Sequence, residues 1–484
     1  MRPVRIRLVA ALLGAVAAVL SFLVTAPPGP GLDPDAMQYL GAAESLVHQG
    51  ALRIPESSWD DADSTSTLQH FPPGYSLVLA PLVAAGIPAV QAGRLEQAVA
   101  AGGTLALAFL LVSAAGSSAA GLLAAAMLLV TPAMASDHVR ILSEPLFLAL
   151  LIATLILMVR LPERPLACGV LAAAAGLVRY AGFSLTGAAV LMALWRGGPE
   201  RRGRLRAAAL VAAPGVLAQA VWSLRTRLEG GSVRSITVNG DVGAALREGW
   251  HTLLYWLAPG VPSPARLIVA AAVAVLACGL LVRAARRDPV YLGGLGIAGG
   301  CFAALVFVSR LIADPGIPFD ERMLSPLMVL ASLAVAASVP LVFPRLSSAA
   351  RTGTALLLAA WIVASGVVTR RFVHEARDGG WGYAMESWRS SRLVGWLRAE
   401  GPRFALFTNN AAGIFFFTHR PSRGLPDSYD PEEVADFGDA LRSRRGVIVA
   451  FTDGYDAEVS PDSVARLLRL RTLVHTASGT VFRP

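Results

Sequence analysis

The chain has 484 residues, of which 55% are hydrophobic and 15% charged, and its mean hydropathy is +0.57. Soluble globular proteins carry about 25% charged residues, so this composition excludes a soluble protein and describes a polytopic membrane protein. The net charge of +9 rests on 42 basic residues, all Arg; many of them cluster in short connectors between apolar runs, which speaks against a nucleic-acid surface.

From the start, Met1 to Ala26 joins a basic stretch to an apolar one, the layout of a signal peptide, and Val24-Thr25-Ala26 offers small residues for cleavage. Pro27 directly after blocks that cut, so the segment is read as an uncleaved first span. A span needs about 20 apolar residues. The candidates are 8–26, 94–114, 118–135, 141–159, 166–179, 183–195, 205–223, 265–283, 290–309, 323–343 and 352–369, about eleven helices. With the N-terminus in the cytoplasm, every Arg-rich connector falls inside: Arg2, Arg5 and Arg7; Arg160 and Arg164; Arg196 to Arg206; Arg283, Arg286 and Arg287; Arg345 and Arg351. The loops 27–93, 135–140, 224–264 and 310–322, the Arg179-Tyr180 turn and the tail from 370 then fall outside.

The first outer loop, 27–93, is acidic: Asp33, Asp35, Glu44, Glu56, Asp60, Asp61 and Asp63 stand against Arg53 alone before Pro72. Met37, Leu40, Ala43, Leu46 and Val47 recur there at helical spacing, which predicts an amphipathic helix on the membrane interface. Tyr75 to Ala85 is apolar but too short to span and is read as re-entrant or interfacial. The tail, 370–484, mixes a polar helical pattern (Glu386 to Glu400) with short apolar runs at Phe404–Phe407, Ile414–Phe417 and Val447–Phe451. It reads as a small soluble α/β domain after a membrane domain of residues 1–369. Cys168, Cys278 and Cys301 lie in apolar segments with no metal-site spacing. No GxGxxG, P-loop, Ser-His-Asp or HExxH pattern occurs, and no internal repeat is visible.

Polar clusters stand at the outer ends of the spans, where ionisable groups are costly and usually functional. Asp33-Pro34-Asp35 makes a good helix start, with Asp33 as cap and Pro34 first in the helix. Capping alone accounts for the tripeptide; an ionised Asp35 can also accept a proton or hold a cation. Asp137-His138-Val139-Arg140 and Ser143-Glu144-Pro145 likewise read as capped starts, or as groups that orient an acceptor or share a metal with Asp35. Arg179 and Arg322 lie outside, against the positive-inside bias. Pairing with Asp320 or Glu321 is one role; a phosphate clamp is the other, because Arg carries a fork matched to phosphate. His70, in His70-Phe71-Pro72-Pro73-Gly74-Tyr75, starts a rigid turn and can donate to a phosphate.

The order of these motifs resembles the GT-C superfamily of integral-membrane glycosyltransferases: Asp35 to Leu40, Phe71-Pro72-Pro73-Gly74-Tyr75, Arg140 to Phe147, Arg179-Tyr180-Ala181-Gly182 and Arg322 to Leu327. Bacterial protein O-mannosyltransferase, lipid A aminoarabinose transferase and dolichyl-phosphate-mannose-type enzymes are the nearer relatives. Phe407–Asn410 and Phe417–Pro421 also look like their extracytoplasmic domain. The resemblance implies a bacterial inner-membrane enzyme, a polyprenyl-phosphate-sugar donor at the outer leaflet, and direct inverting attack by an acceptor hydroxyl. The acceptor (protein, lipid or glycan) and the sugar are left open. Carried over by position, Asp35 is the base, with Asp33 as the other choice. Asp137 or Glu144 is the second acidic position, and Arg322, Arg179 and His70 stabilise the leaving phosphate. The first motif is Asp-Pro-Asp rather than the common Asp-Glu. A divalent cation such as Mg or Mn, held by Asp35 and Asp137, suits the carboxylates but is not required by them. A lipid or polysaccharide transporter and a non-catalytic envelope scaffold are the alternatives; a transporter would place its charges at mid-membrane.

Overall fold

The computed structural model describes residues 3–196, 200–229, 238, 241–314, 316–454 and 458–484. Arg2 and residues 230–237 of the expected 224–264 loop lie outside the described residues.

In chain order, α1 (Pro3–Val24) and α2 (Pro34–Gln49) precede the short strands β1 (Arg53–Ile54), β2 (Glu56–Ser57) and β3 (Ser66–Thr67). The helices α3 (Gly74–Ala84), α4 (Ala89–Ala115), α5 (Ser118–Leu129), α6 (Pro132–His138), α7 (Glu144–Arg160), α8 (Pro165–Val178), α9 (Phe183–Arg196) and α10 (Arg201–Leu228) follow. Next come α11 (Val242–Leu257), α12 (Ser263–Ala285), α13 (Pro289–Ile312), α14 (Glu321–Val342) and α15 (Ser348–Gly379). The tail holds α16 (Glu386–Arg389), α17 (Arg392–Ala399), β4 (Ala405–Thr408), α18 (Ala411–Thr418), β5 (Ser422–Arg423) and α19 (Pro431–Ser443). It closes with β6 (Gly446–Phe451), α20 (Pro461–Leu467), β7 (Arg471–Thr476) and β8 (Gly479–Arg483).

The chain folds into two compact units. One joins Met1–Val24 to Arg94–Glu375, and the other joins Thr25–Gly93 to Ala376–Pro484. This division differs from the linear split expected at residue 369, because the first loop folds with the tail.

The first unit is helical. Among the described residues seven helices are long and apolar enough to cross a membrane, and the pair α5 and α6, bent by 64°, makes an eighth. The other three expected spans are α7, α8 and α9, of 17, 14 and 14 residues. At 1.5 Å per residue a 14-residue helix reaches only about 21 Å, so eight of the eleven expected spans qualify by length. The core runs through Phe109, Phe147, Leu151, Leu155, Phe302, Val329 and Leu333. The rings of Phe147 and Phe302 stack at 6.2 Å. Part of the Arg-rich connector set is also structural: Arg196 caps the end of α7 through the carbonyls of Met158, at 3.2 Å, and Val159, at 2.7 Å.

The second unit is α/β. Its six-stranded sheet runs β2-β5-β4-β6-β8-β7, with β2, β5, β4 and β6 parallel and β8 and β7 antiparallel. A first-loop strand, β2, therefore forms the edge next to the tail's β5. Trp59 reaches the tail's core and meets Phe437 edge-on at 5.9 Å. Arg423 and Arg444 donate to the backbone carbonyls of Ala62, at 2.9 Å, and Trp59, at 2.6 Å. The predicted interfacial helix is α2, but Met37, Leu40 and Ala43 are buried by protein rather than lipid. Tyr39 packs on Phe71 and Tyr75 at 4.7 and 5.0 Å, and the Ser76 hydroxyl donates to the Tyr39 carbonyl at 3.0 Å. The short apolar segment is α3, 11 residues long, with Leu77 and Val78 exposed.

Candidate active site

In the second unit, Asp33 occupies the cap position of α2, Pro34 opens the helix and Asp35 lies in its first turn. The Asp33 side chain makes no cap hydrogen bond, so capping does not use its carboxylate. What fixes this corner is the tail. The Tyr383 amide donates to the Leu32 carbonyl at 3.0 Å, and Leu32 pairs with Gly382 in a parallel bridge. Gly382 has φ +56°, and a Cβ there would stand 2.1 Å from the Leu32 carbonyl oxygen. Only glycine tolerates that approach. Both aspartates are half-buried. His70 is exposed, its ring set edge-on to Phe71 at 4.7 Å.

In the first unit the structure gathers three of the expected residues. Glu144 begins α7 and is 2% exposed. Its Oε1 receives Arg179 Nη1 at 2.6 Å and Arg322 Nε at 3.3 Å. Arg179 Nη1 also lies 3.3 Å from Ser143 Oγ, which accepts from it. Arg179 is placed by the end of α8, where the chain turns through Tyr180–Gly182, and that turn is pinned by Trp222 Nε1 donating to the Tyr180 hydroxyl at 3.0 Å. Arg322 is placed by the first turn of α14, which Asp320 caps by accepting from the Met323 amide at 2.8 Å. Asp137, in α6, is fully buried among the charges of Glu144, Arg140 and Arg179. The Ser325 hydroxyl lies beside its carboxylate.

Glu144, expected to orient an acceptor or a metal, is ion-paired with both arginines. A second pairing lies in the same unit, between Arg310 and Glu248 on α11: Arg310 Nη2 donates to Glu248 Oε1 at 2.9 Å, and Nη1 also bonds Oε2. Sequence reasoning missed Glu248; its signal was an acid inside the amphipathic stretch that became α11. For a metal, no group of three or more His, Cys, Asp or Glu side chains gathers among the described residues.

No family model matches the sequence, and no curated protein matches it either. Solved structures do. ArnT from Cupriavidus metallidurans bound to undecaprenyl phosphate shares 14% identity at a TM-score of 0.60, covering 97% of each chain. The Archaeoglobus fulgidus oligosaccharyltransferase in the apo form shares 11% at 0.53, covering 93% of this chain and 69% of that one. The arabinofuranosyltransferase AftD from Mycobacteria shares 17% at 0.52, covering 99% of this chain and 41% of that one. The chain shares its fold with these solved structures and is a multi-pass membrane protein.

Proposed function

We propose that the chain is an inverting glycosyltransferase that moves a sugar from a polyprenyl-phosphate donor to an acceptor of the cell envelope. It works at the outer face of a bacterial plasma membrane, with the N-terminus cytoplasmic and the α/β unit extracytoplasmic. The observation that carries the reading is the convergence of Arg179 and Arg322 on one buried carboxylate, in a fold shared with a protein solved with undecaprenyl phosphate bound. A guanidinium has five N–H donors, and each arginine is ion-paired with Glu144 Oε1. The pair is thus held in place, without a lipid-facing rotamer search, for a phosphate that takes up negative charge.

In the reaction, the acceptor hydroxyl oxygen attacks the anomeric carbon and the bond from that carbon to the phosphate oxygen breaks. The electron pair leaves with the polyprenyl phosphate, and the hydroxyl proton passes to Asp35. Arg322 and Arg179 stabilise the departing charge, the kind of contribution that dominates many rate enhancements. His70 adds a donor to the phosphate, Asp33 holds the corner of α2, and Asp137 orients the acceptor. No step passes through a metal.

The test is release of polyprenyl phosphate by the purified protein from a panel of polyprenyl-phosphate sugars, with crude membrane extract as acceptor and Asp35→Asn alongside. Turnover of one donor that disappears in the variant is the expected result. Undiminished turnover in Asp35→Asn removes the base assignment, and no turnover of any donor removes the transferase reading.

A further inference from the structure

In the sheet of the second unit, β4 and β6 are adjacent and parallel, yet the chain leaves them in opposite directions. From β4 it passes through α18 to β5 on one flank; from β6 it passes through α20 to β7 and β8 on the other. Open α/β sheets bind ligands at such a divergence, outside the carboxyl ends of the strands. Here it holds a cavity of about 600 Å³, inside the range of about 300–1,000 Å³ found for small-molecule sites.

The floor of the cavity is fixed. Asn409, just after β4, donates from Nδ2 to the Phe451 carbonyl at 2.9 Å and accepts at Oδ1 from the Phe451 amide at 2.8 Å. That pair of bonds ties the ends of the two strands together. Gly454 closes over the same amide: a Cβ there would stand 1.8 Å from Asn409 Nδ2. The walls are polar. Glu458 and Asp462 come from the connection after β6, and both are exposed. His475 and Thr480 come from the β7–β8 hairpin, with His475 Nδ1 and Thr480 Oγ1 2.9 Å apart.

The lining sorts ligands by charge. Among the described residues no arginine lines this cavity, while the carboxylates of Glu458 and Asp462 do. An anion such as a phosphate is recognised by cationic forks, so the lining selects against one. Carboxylates accept O–H and N–H donors, and hydrogen bonds to charged groups are the stronger ones. A metal is not favoured, since no three ligating side chains gather among the described residues. Adjacent hydroxyls, with or without an amine, match this surface. We propose that the cavity is a glycan-binding subsite that takes a neutral or amine-bearing oligosaccharide through Glu458 and Asp462. It goes beyond the transfer reaction, because binding here needs no lipid-linked donor, and it gives the α/β unit the task of holding a sugar chain.

Three trisaccharides test it, titrated calorimetrically into the purified full-length chain: triacetylchitotriose as the neutral probe, its deacetylated form as the amine, and trigalacturonate as the anion. Saturable binding of the neutral or amine probe is expected, at least tenfold tighter than of the anion. The double variant Glu458→Gln with Asp462→Asn is expected to weaken that binding at least tenfold with an unchanged thermal midpoint, since both side chains are exposed. No saturable binding of either non-anionic probe overturns the proposal, as does an equal or better affinity for trigalacturonate or a double variant that binds as well as the parent. Donor turnover measured on the same preparation separates the two readings: glycan binding without turnover counts against the transferase alone, and turnover without glycan binding counts against the subsite alone.

Discussion

Glu144 and Glu248 each hold arginine in the helical unit, and they hold it in different ways. Glu248 is saturated: both of its oxygens take Arg310, Oε2 also accepts the Phe319 amide at 3.2 Å, and Arg310 Nη1 reaches on to the Ile317 carbonyl at 2.9 Å. Its side chain is still 47% exposed. Glu144 is the reverse: 2% exposed, with one oxygen in ion pairs with two arginines. The first arrangement ties α11 and the backbone at Ile317 and Phe319 to the end of α13. The second packs Arg179 and Arg322 around one carboxylate, with Arg140 and a second buried carboxylate, Asp137, beside them, and the proposed function gives the two arginines a phosphate as a further anion. Similar side chains make a latch in one place and a charge-binding site in the other.

Removing a donor from each site draws that contrast out most strongly. Arg322→Gln is expected to lower the rate of donor turnover by about 10²- to 10³-fold, the usual loss when one charge-stabilising donor is deleted, while the protein stays folded. Arg310→Gln is expected to keep turnover within about threefold, as a residue outside the charge-binding site, and to lower the thermal midpoint instead. Single-turnover kinetics beside a thermal-shift assay read both. Equal rate losses in the two variants would erase the distinction.

The carboxylates give the next largest difference. Glu144→Ala leaves two guanidinium groups facing each other in a buried site, and breaking a buried pair in this way costs about 3–5 kcal/mol. Glu248→Ala removes a carboxylate that is itself 47% exposed, and the Arg310 left behind, though only 9% exposed, keeps the Ile317 carbonyl at 2.9 Å, so the loss is expected to be the smaller of the two. Thermal unfolding in a fixed detergent orders them; a larger loss at Glu248 would show that the latch, not the charge cluster, carries the stability.

Which parts of this contrast the sequence revealed follows from the range of the forces. The spans were legible because twenty apolar residues in a row have few other uses, and Arg179 and Arg322 stood out because outer arginines oppose the topological bias. Their meeting at Glu144 was not legible: the three residues open or close three different helices, and nothing in local spacing joins them. The same holds in the α/β unit. The Val447–Phe451 run announced β6, but the docking of Trp59 against Phe437 is a pairing across most of the chain. Helical periodicity found α2 correctly and assigned its apolar face to lipid, since a pattern of Met37, Leu40 and Ala43 reads the same whether lipid or protein covers it.

The finest difference between the two acids is their response to pH, and it is sharpest at Glu248. Hydrogen bonds from Arg310 and the Phe319 amide hold its carboxyl down at about 2, from an ordinary value of 4.5. A carboxyl whose folded value lies below its unfolded one binds more protons when unfolded, so its stabilising contribution is present above the unfolded value and is lost as pH falls. The window is therefore pH 4.5 down to about 2. The thermal midpoint of the parent is expected to decline across that window more steeply than that of Glu248→Gln, whose amide has no charge to lose, and the two curves converge at its acid end. The size of the gap is small because solvent screens a half-exposed pair. Parallel curves for parent and variant would mean that Arg310 does not hold Glu248 in its ionised form, and that the latch is no more than a surface contact.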